Sequence, residues 1–379
     1  MQPNDEVLLA RANELAAGAI GLSEPNPRVG CVLHTADGRL AGEGFTQQVG
    51  GPHAEVMALR AAAAAGIDVQ GGTAWVSLEP CAHHGRTPPC CDALIGAGLA
   101  RVVVAMVDPF PQVAGLGIAR LRAAGIDVTV APPGPVVTAA CELNIGFLSR
   151  VLRQRPWVRL KIAASLDGRT ALPNGVSQWI TGAEARADGH AWRRRAGAVL
   201  TGIGTVLSDD PRLDVRKVPT HVQPLRVVVD SMLQTPPSAR LLQAPGQALI
   251  AHAGAPAARI EVLSGDAHLV AITGSNGQVD LAGLLVHLAR LGVNELHVEA
   301  GAKLNAALLQ ANLVDELLVY LAPTLLGDGR SMASLGPFNA LAQAKGFEFT
   351  DVARVGDDLR LVARPIQTTS WLRRGLASA

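Results

Sequence analysis

At 379 residues the chain is longer than one ordinary hydrophobic core supports, and its length points to two domains. With 49% hydrophobic and 17% charged residues it reads as a packed globular protein, and a net charge of +1 gives no field that would hold nucleic acid or an anionic membrane. Only 3% of residues are aromatic, too few for the stacking rings of a nucleic-acid groove. Asp5, Glu6, Arg11 and Glu14 interrupt the first helix-like stretch, so no secretory signal is expected, and no uncharged run reaches membrane-spanning length. Five cysteines, two of them assigned to a metal below, leave Cys31, Cys91 and Cys141; this odd remainder points to a reducing cytoplasm.

In chain order, residues 6–19 carry apolar positions at helical spacing. Pro25-Asn26-Pro27 forces an extended loop, and residues 29–34 and 40–45 flank the turn Ala36-Asp37-Gly38-Arg39 as a predicted hairpin. The alanine-rich stretch 53–65 predicts a helix with His53 and Glu55 in its first turn. A strand over 73–78 runs into Glu79-Pro80-Cys81, and a helix over 90–97 opens at Cys90. Strands at 101–107 and 126–130, with a helix over 115–124 between them, complete a three-layer α/β/α domain.

One imidazole, His53, and two thiols, Cys81 and Cys90, form a set of three zinc ligands that leaves a tetrahedral position open, as a catalytic zinc needs. Glu55, two residues from the histidine, can face the same cavity and move a proton without being a ligand. A purely structural zinc would take a fourth ligand from His83, His84 or Cys91. The arrangement follows the H-x-E…P-C-x-x-C pattern of zinc base deaminases, except that nine positions separate the two cysteines.

That wider spacing is distinctive. The run Leu78-Glu79-Pro80-Cys81-Ala82-His83-His84-Gly85-Arg86-Thr87-Pro88-Pro89-Cys90, with Pro52-His53-Ala54-Glu55-Val56 upstream, resembles the deaminase half of the bifunctional riboflavin-biosynthesis deaminase/reductase. The resemblance implies a cytidine-deaminase-like fold, zinc on His53, Cys81 and Cys90, and a proton shuttle on Glu55. It also implies a pyrimidine contact from Asn26, and contacts to the substrate and its phosphate from His83 and Arg86. The chain departs from the family at Thr46, where a histidine is usual.

Pro132-Pro133-Gly134-Pro135 breaks the chain, a helix is predicted over 136–150, and the linker falls at 153–156. A strand over 157–164 opens the second half, and Leu160-Lys161-Ile162-Ala163-Ala164-Ser165-Leu166-Asp167-Gly168-Arg169 resembles the start of the reductase half of the same family. That implies a dihydrofolate-reductase-like α/β fold using NADPH, held without a Walker motif or a Rossmann glycine triplet. Two stretches can approach phosphate: a strand over 198–201 entering a glycine loop at 202–205, and a strand over 295–298 passing through Glu299-Ala300-Gly301 into a helix over 303–310. Residues 281–291 read as an amphipathic helix and 317–322 as a core strand.

With Ser177-Gln178-Trp179-Ile180-Thr181 and Asp209-Asp210-Pro211-Arg212-Leu213, the resemblance runs along most of this half. It places NADPH against Ala163, Trp179, Thr205, Asp209, Ser231 and Gly301, with Ala302, Lys303, Leu304 and Asn305 following. Substrate would meet Ser177, Arg193, Leu213, Arg216 and Glu299, with Lys161 and Glu299 as catalytic groups nearest the carbon that receives hydride. Taken alone, the run Arg193-Arg194-Arg195 is a solvated helix face.

The expected division is a zinc deaminase over 1–150, a reductase over 156–366 and a loose tail over 367–379. The resemblance implies two successive reactions on a small phosphorylated pyrimidine, a diaminohydroxy-phosphoribosylaminopyrimidine, in the cytoplasm, by a homo-oligomer (dimer or tetramer) joined through the reductase domain, with no nucleic-acid or membrane partner. The alternative is a deaminase of a nucleoside or tRNA base carrying a non-catalytic second half.

Overall fold

The computed structural model describes residues 1–82, 88–111, 113–366 and 371. The chain divides into two compact units, the first over residues 1–154 with Trp371 and the second opening at Arg155. No single described helix is long and apolar enough to cross a membrane.

The first unit runs α1 (Asp5–Ala16), β1 (Gly30–His34), β2 (Leu40–Phe45), α2 (Ala54–Ala64), β3 (Thr73–Val76), α3 (Cys90–Gly96), β4 (Arg101–Val104), α4 (Leu116–Ala123), β5 (Asp127–Val130), α5 (Pro135–Leu143) and α6 (Ile145–Arg153). Its five strands lie in the order β2-β1-β3-β4-β5, antiparallel about β1 and parallel from β3 to β5. Neighbouring residues of a strand face opposite sides of the sheet, and two glycine contacts fix the layers. A Cβ on Gly30 would stand 1.9 Å from the Ala12 carbonyl oxygen, so α1 packs directly on that face. A Cβ on Gly42 would stand 2.2 Å from the Ala58 carbonyl oxygen; Gly42 pairs with Leu33 on the other face, which therefore carries α2. The expected single helix over 136–150 is two, bent by 75°. The cause is Asn144, whose side chain leaves the helix: Oδ1 accepts from Arg28 N at 2.7 Å, and Nδ2 donates to Arg28 O at 2.9 Å and to Ala140 O at 3.2 Å.

The second unit runs β6 (Trp157–Ser165), β7 (Arg169–Ala171), α7 (Ala183–Arg195), β8 (Ala198–Gly202), α8 (Ile203–Asp209), β9 (Leu225–Val229), α9 (Arg240–Gln243), β10 (Ala248–His252), α10 (Ala257–Leu263), β11 (His268–Ala271), α11 (Leu281–Arg290), β12 (Glu295–Val298), α12 (Ala302–Gln310), β13 (Glu316–Ala322), β14 (Arg330–Ser331), β15 (Phe347–Val355) and β16 (Asp358–Pro365). A nine-stranded sheet has the order β11-β10-β9-β8-β12-β6-β13-β16-β15, parallel as far as β13 and closed by the antiparallel pair β16 and β15. Its inner strands are near-continuous apolar runs because both faces are covered. Val227, Leu249 and Ala251 pack with α11 and α12, whereas Val228 and Ile250 pack with α8, α9 and α10. The buried Arg159 is compensated by Glu295 at 2.8 Å and Glu316 at 2.5 Å, which Arg195 and Arg364 flank. Breaking such a buried set costs about 3–5 kcal/mol, because one charge is left without a counter-charge.

Two expectations change here. The glycine loop at 202–205 is the first turn of α8, since Val206 is drawn into the core. The hairpin of β15 and β16 is absent from the sequence reading; most of β15 is exposed, so it carries no alternation of apolar and polar residues to mark it.

Candidate active sites

In the first unit, His53 is the N-cap of α2 with extended backbone, so its ring leaves the helix end while Glu55 sits in the first turn. Cys90 opens α3, and Cys81 lies in the loop after β3. The three come together: Nδ1 of His53 is 3.7 Å from Cys81 Sγ and 3.3 Å from Cys90 Sγ, and the ligand atoms all lie within 4.8 Å of one another. The backbone holds this arrangement. Cys90 N donates to Cys81 Sγ at 3.3 Å and Cys91 N to Cys81 O at 3.2 Å. One imidazole and two thiols at this separation suit a zinc ion, and the set lacks a fourth member among the described residues.

Bonding from the Cys90 thiol and from His53 pulls the Cys81 thiol down to about 4, against burial. Cys90 is pushed up by the Cys81 thiolate and by burial, so without a cation the pair carries one negative charge. Glu55, 3% exposed, is raised to about 7 by burial and by the charge on Cys81.

Glu79 supports the site and was not singled out in the sequence. Its carboxylate accepts from Asp108 N at 3.1 Å, Gly115 N at 2.9 Å and Ile118 N at 3.1 Å, tying the segment before Cys81 to the start of α4. Asn26 lies in a turn closed by its own N–H to Ser23 O at 2.8 Å, and no hydrogen bond joins it to the cluster among the described residues. His83 and Arg86 lie outside the described residues. Thr46, where the family's histidine is usual, is buried, and its hydroxyl bonds the Val29 backbone at 3.3 and 3.4 Å.

The second unit holds a cleft of about 1400 Å³ at the carboxyl ends of β8, β9 and β12, where sites of parallel sheets form. Of the expected NADPH contacts, Ala163, Trp179, Thr205, Asp209, Ser231, Gly301, Ala302, Lys303, Leu304 and Asn305 all line it. So do Lys161, Ser177 and Glu299. The two stretches expected to approach phosphate meet: a Cβ on Gly301 would stand 3.8 Å from Thr205 Oγ1. The first turns of α8 and α12 have no side-chain cap, which leaves backbone N–H groups for an anion. Lys161, Lys303 and Arg330 outnumber Asp209 and Glu299 in the lining, a cationic balance that suits a polyanionic dinucleotide.

Arg193, Leu213 and Arg216 do not line the cleft. Arg193 is no solvated residue: Nε and Nη2 hold the Glu299 carboxylate at 2.5 and 2.9 Å, and Nη1 donates to Asp214 O at 2.9 Å. Burial would raise Glu299, but Arg193 outweighs it and keeps the carboxylate ionised. Leu213 is buried at positive φ, and Arg216 is turned onto Asp214 at 2.7 Å, so both reach the cleft only through Asp214 and Arg193. Arg186 lines the cleft and was missed, because an arginine in a helix reads as a solvated residue.

A zinc-type deaminase site in one unit and a dinucleotide cleft in the other define a two-activity enzyme. Residues 2–106 match the cytidine and deoxycytidylate deaminase zinc-binding region, and 156–361 match the RibD C-terminal domain. The riboflavin biosynthesis protein RibD of Escherichia coli (strain K12) is 45% identical, with 94% of this chain and 98% of that protein covered; the Haemophilus influenzae protein of the same name is 40% identical, with 95% and 97% covered. The solved Acinetobacter baumannii RibD superposes with a TM-score of 0.87 at 42% identity, covering 96% of this chain and 99% of that one. A Thermotoga maritima diaminohydroxyphosphoribosylaminopyrimidine deaminase/5-amino-6-(5-phosphoribosylamino)uracil reductase superposes at 0.84 and 31% identity, covering 95% and 98%. The chain belongs to the RibD family of bifunctional riboflavin-biosynthesis enzymes, with zinc-dependent deaminase and NADPH-dependent reductase activities. These relatives match across both halves, which disfavours a base deaminase with a non-catalytic second half.

Proposed function

We propose that residues 1–150 carry out the deamination and residues 156–366 the reduction, in succession on one diaminohydroxy-phosphoribosylaminopyrimidine, with the roles below. The observation that carries this reading is the meeting of His53, Cys81 and Cys90 beside the buried Glu55. His53, Cys81 and Cys90 would hold a zinc ion, which when bound would supply an acidified water as the nucleophile near neutral pH. Glu55 would take the proton that this water gives up as its oxygen bonds to the amino-bearing ring carbon, and would return it to the exocyclic amino group as the carbon–nitrogen bond breaks and ammonia leaves. Asn26 orients the pyrimidine, and His83 and Arg86, which lie outside the described residues, take the substrate and its phosphate. Thr46, committed to Val29, makes no substrate contact in this chain.

The cleft would hold NADPH, which when bound would supply hydride to the ribosyl carbon in its ring-opened imine form, leaving a ribityl chain. Glu299, fixed and kept charged by Arg193, and Lys161 flank that carbon and hold its hydroxyl groups. Burial lowers the Lys161 ammonium below its usual range, which makes it the ready proton donor to the imine nitrogen side. Ser177 binds the ribosyl portion, while Leu213 and Arg216 act from behind the cleft by fixing Asp214, whose carbonyl holds Arg193. The protein works in the cytoplasm as a homo-oligomer (dimer or tetramer) joined through the second unit, a reading supported by exposed Phe349 and Val352 on the outermost strand β15.

A coupled assay tests the sequence of steps by following ammonia and NADPH absorbance together on the phosphoribosylaminopyrimidine. Ammonia release should precede NADPH loss. NADPH consumption on the undeaminated substrate would overturn the order.

A further inference from the structure

Trp179 is an anomaly for an unliganded surface: a large apolar ring, 66% exposed, in the wall of the second-unit cleft. An indole left free in water samples several rotamers, and fixing it on binding would cost affinity. Here the ring is already held. The Arg186 guanidinium carbon lies 4.6 Å from the ring centroid, within the range of a cation–π contact. The guanidinium is itself fixed, because Nη1 donates to Thr181 O at 2.5 Å and the residue belongs to the first turns of α7. A planar cation covers one ring face and leaves the other for a flat partner, which the point charge of a lysine would do less well.

We propose that Arg186 is a positioning residue for the cofactor: it braces Trp179 so that the free indole face is a preformed wall against NADPH. This rests on the reading that the second-unit cleft binds NADPH through Trp179. Arg186 acts through the ring, so its contribution depends on the ring being present.

The test is a double-mutant cycle on the full-length protein, with NADPH affinity measured by calorimetry and no turnover. Arg186→Ala should weaken NADPH binding about fivefold, the size of an exposed cation–π contact, and Arg186→Lys by about twofold. In a Trp179→Ala background, Arg186→Ala should cost less than about twofold more. Equal losses in both backgrounds would mean that Arg186 meets the cofactor directly and would overturn the proposal, as would unchanged affinity in Arg186→Ala. Arg186→Lys keeps the charge, so it reports on stacking even if the alanine variant folds poorly. Wild-type protein that binds no NADPH would overturn the underlying reading along with the proposal.

Discussion

Glu55 and Asp5 are both buried carboxyls of the first unit, yet their neighbours drive them in opposite directions. Around Glu55, burial and the Cys81 thiolate both favour the proton and raise the group to about 7. Asp5 is pushed up by burial, but hydrogen bonds from both Arg101 Nη atoms, from Trp75 and from the Gln2 amide outweigh it and hold the group at about 2. Glu55→Gln should abolish ammonia release while zinc content, and NADPH oxidation on the deaminated substrate, stay at wild-type levels; loss of zinc by elemental analysis would contradict a role in proton transfer. Asp5 binds a proton more weakly when folded than when unfolded, so its contribution is present above pH ~4 and lost as pH falls through ~2. It amounts to about 2 kcal/mol. Asp5→Asn should therefore destabilise the first unit at pH 7 and flatten its stability between pH 4 and 2, measured as the denaturant midpoint at each pH.

Elements meet the site through backbone contacts that side-chain patterns do not report. Asn144 ends α5 because it gives its amide to the Arg28 backbone, and so fixes the Pro25–Arg28 loop that carries Asn26. Asn144→Ala removes three buried hydrogen bonds and should destabilise the first unit by about 2–4 kcal/mol. It should also raise the deaminase KM and leave the reductase KM unchanged; equal changes in both would refute a link to the Asn26 loop. Gly117 packs directly against the segment that carries Cys81, for a Cβ there would lie 1.9 Å from Pro80 O, one residue before Cys81. Gly117→Ala should push that segment away and speed zinc loss to a chromophoric chelator by about tenfold, and an unchanged release rate would show that the loop can yield without moving Cys81.

Across the whole molecule, each compact unit contains its own chemistry: the metal cluster within residues 53–90, the cleft within 161–334. Removing zinc with a chelator should therefore stop ammonia release and spare NADPH oxidation on the deaminated pyrimidine. The check is the ratio of the two rates before and after dialysis. A parallel fall in both would mean that the reductase unit depends on the metal.

The meeting of His53, Cys81 and Cys90 beside Glu55 was legible in the sequence because ligand chemistry and local spacing select residue types directly, and a helix start places His53 and Glu55 whatever surrounds them. The strand–glycine–helix joints at 202–205 and 299–301 were legible in the same way, while Ala163, Ser177, Trp179, Asp209 and Ser231 in the cleft wall followed only from the family resemblance. The sequence alone could not tell that Arg193 grips Glu299, that Arg186 braces Trp179, or that Asn144 abandons its helix for Arg28. Those partners lie 106, 7 and 116 positions away, and a charge or amide in a helix reads the same whether it faces water or a buried partner. Tertiary packing alone decides which, since only the folded chain removes the water that would otherwise satisfy these groups.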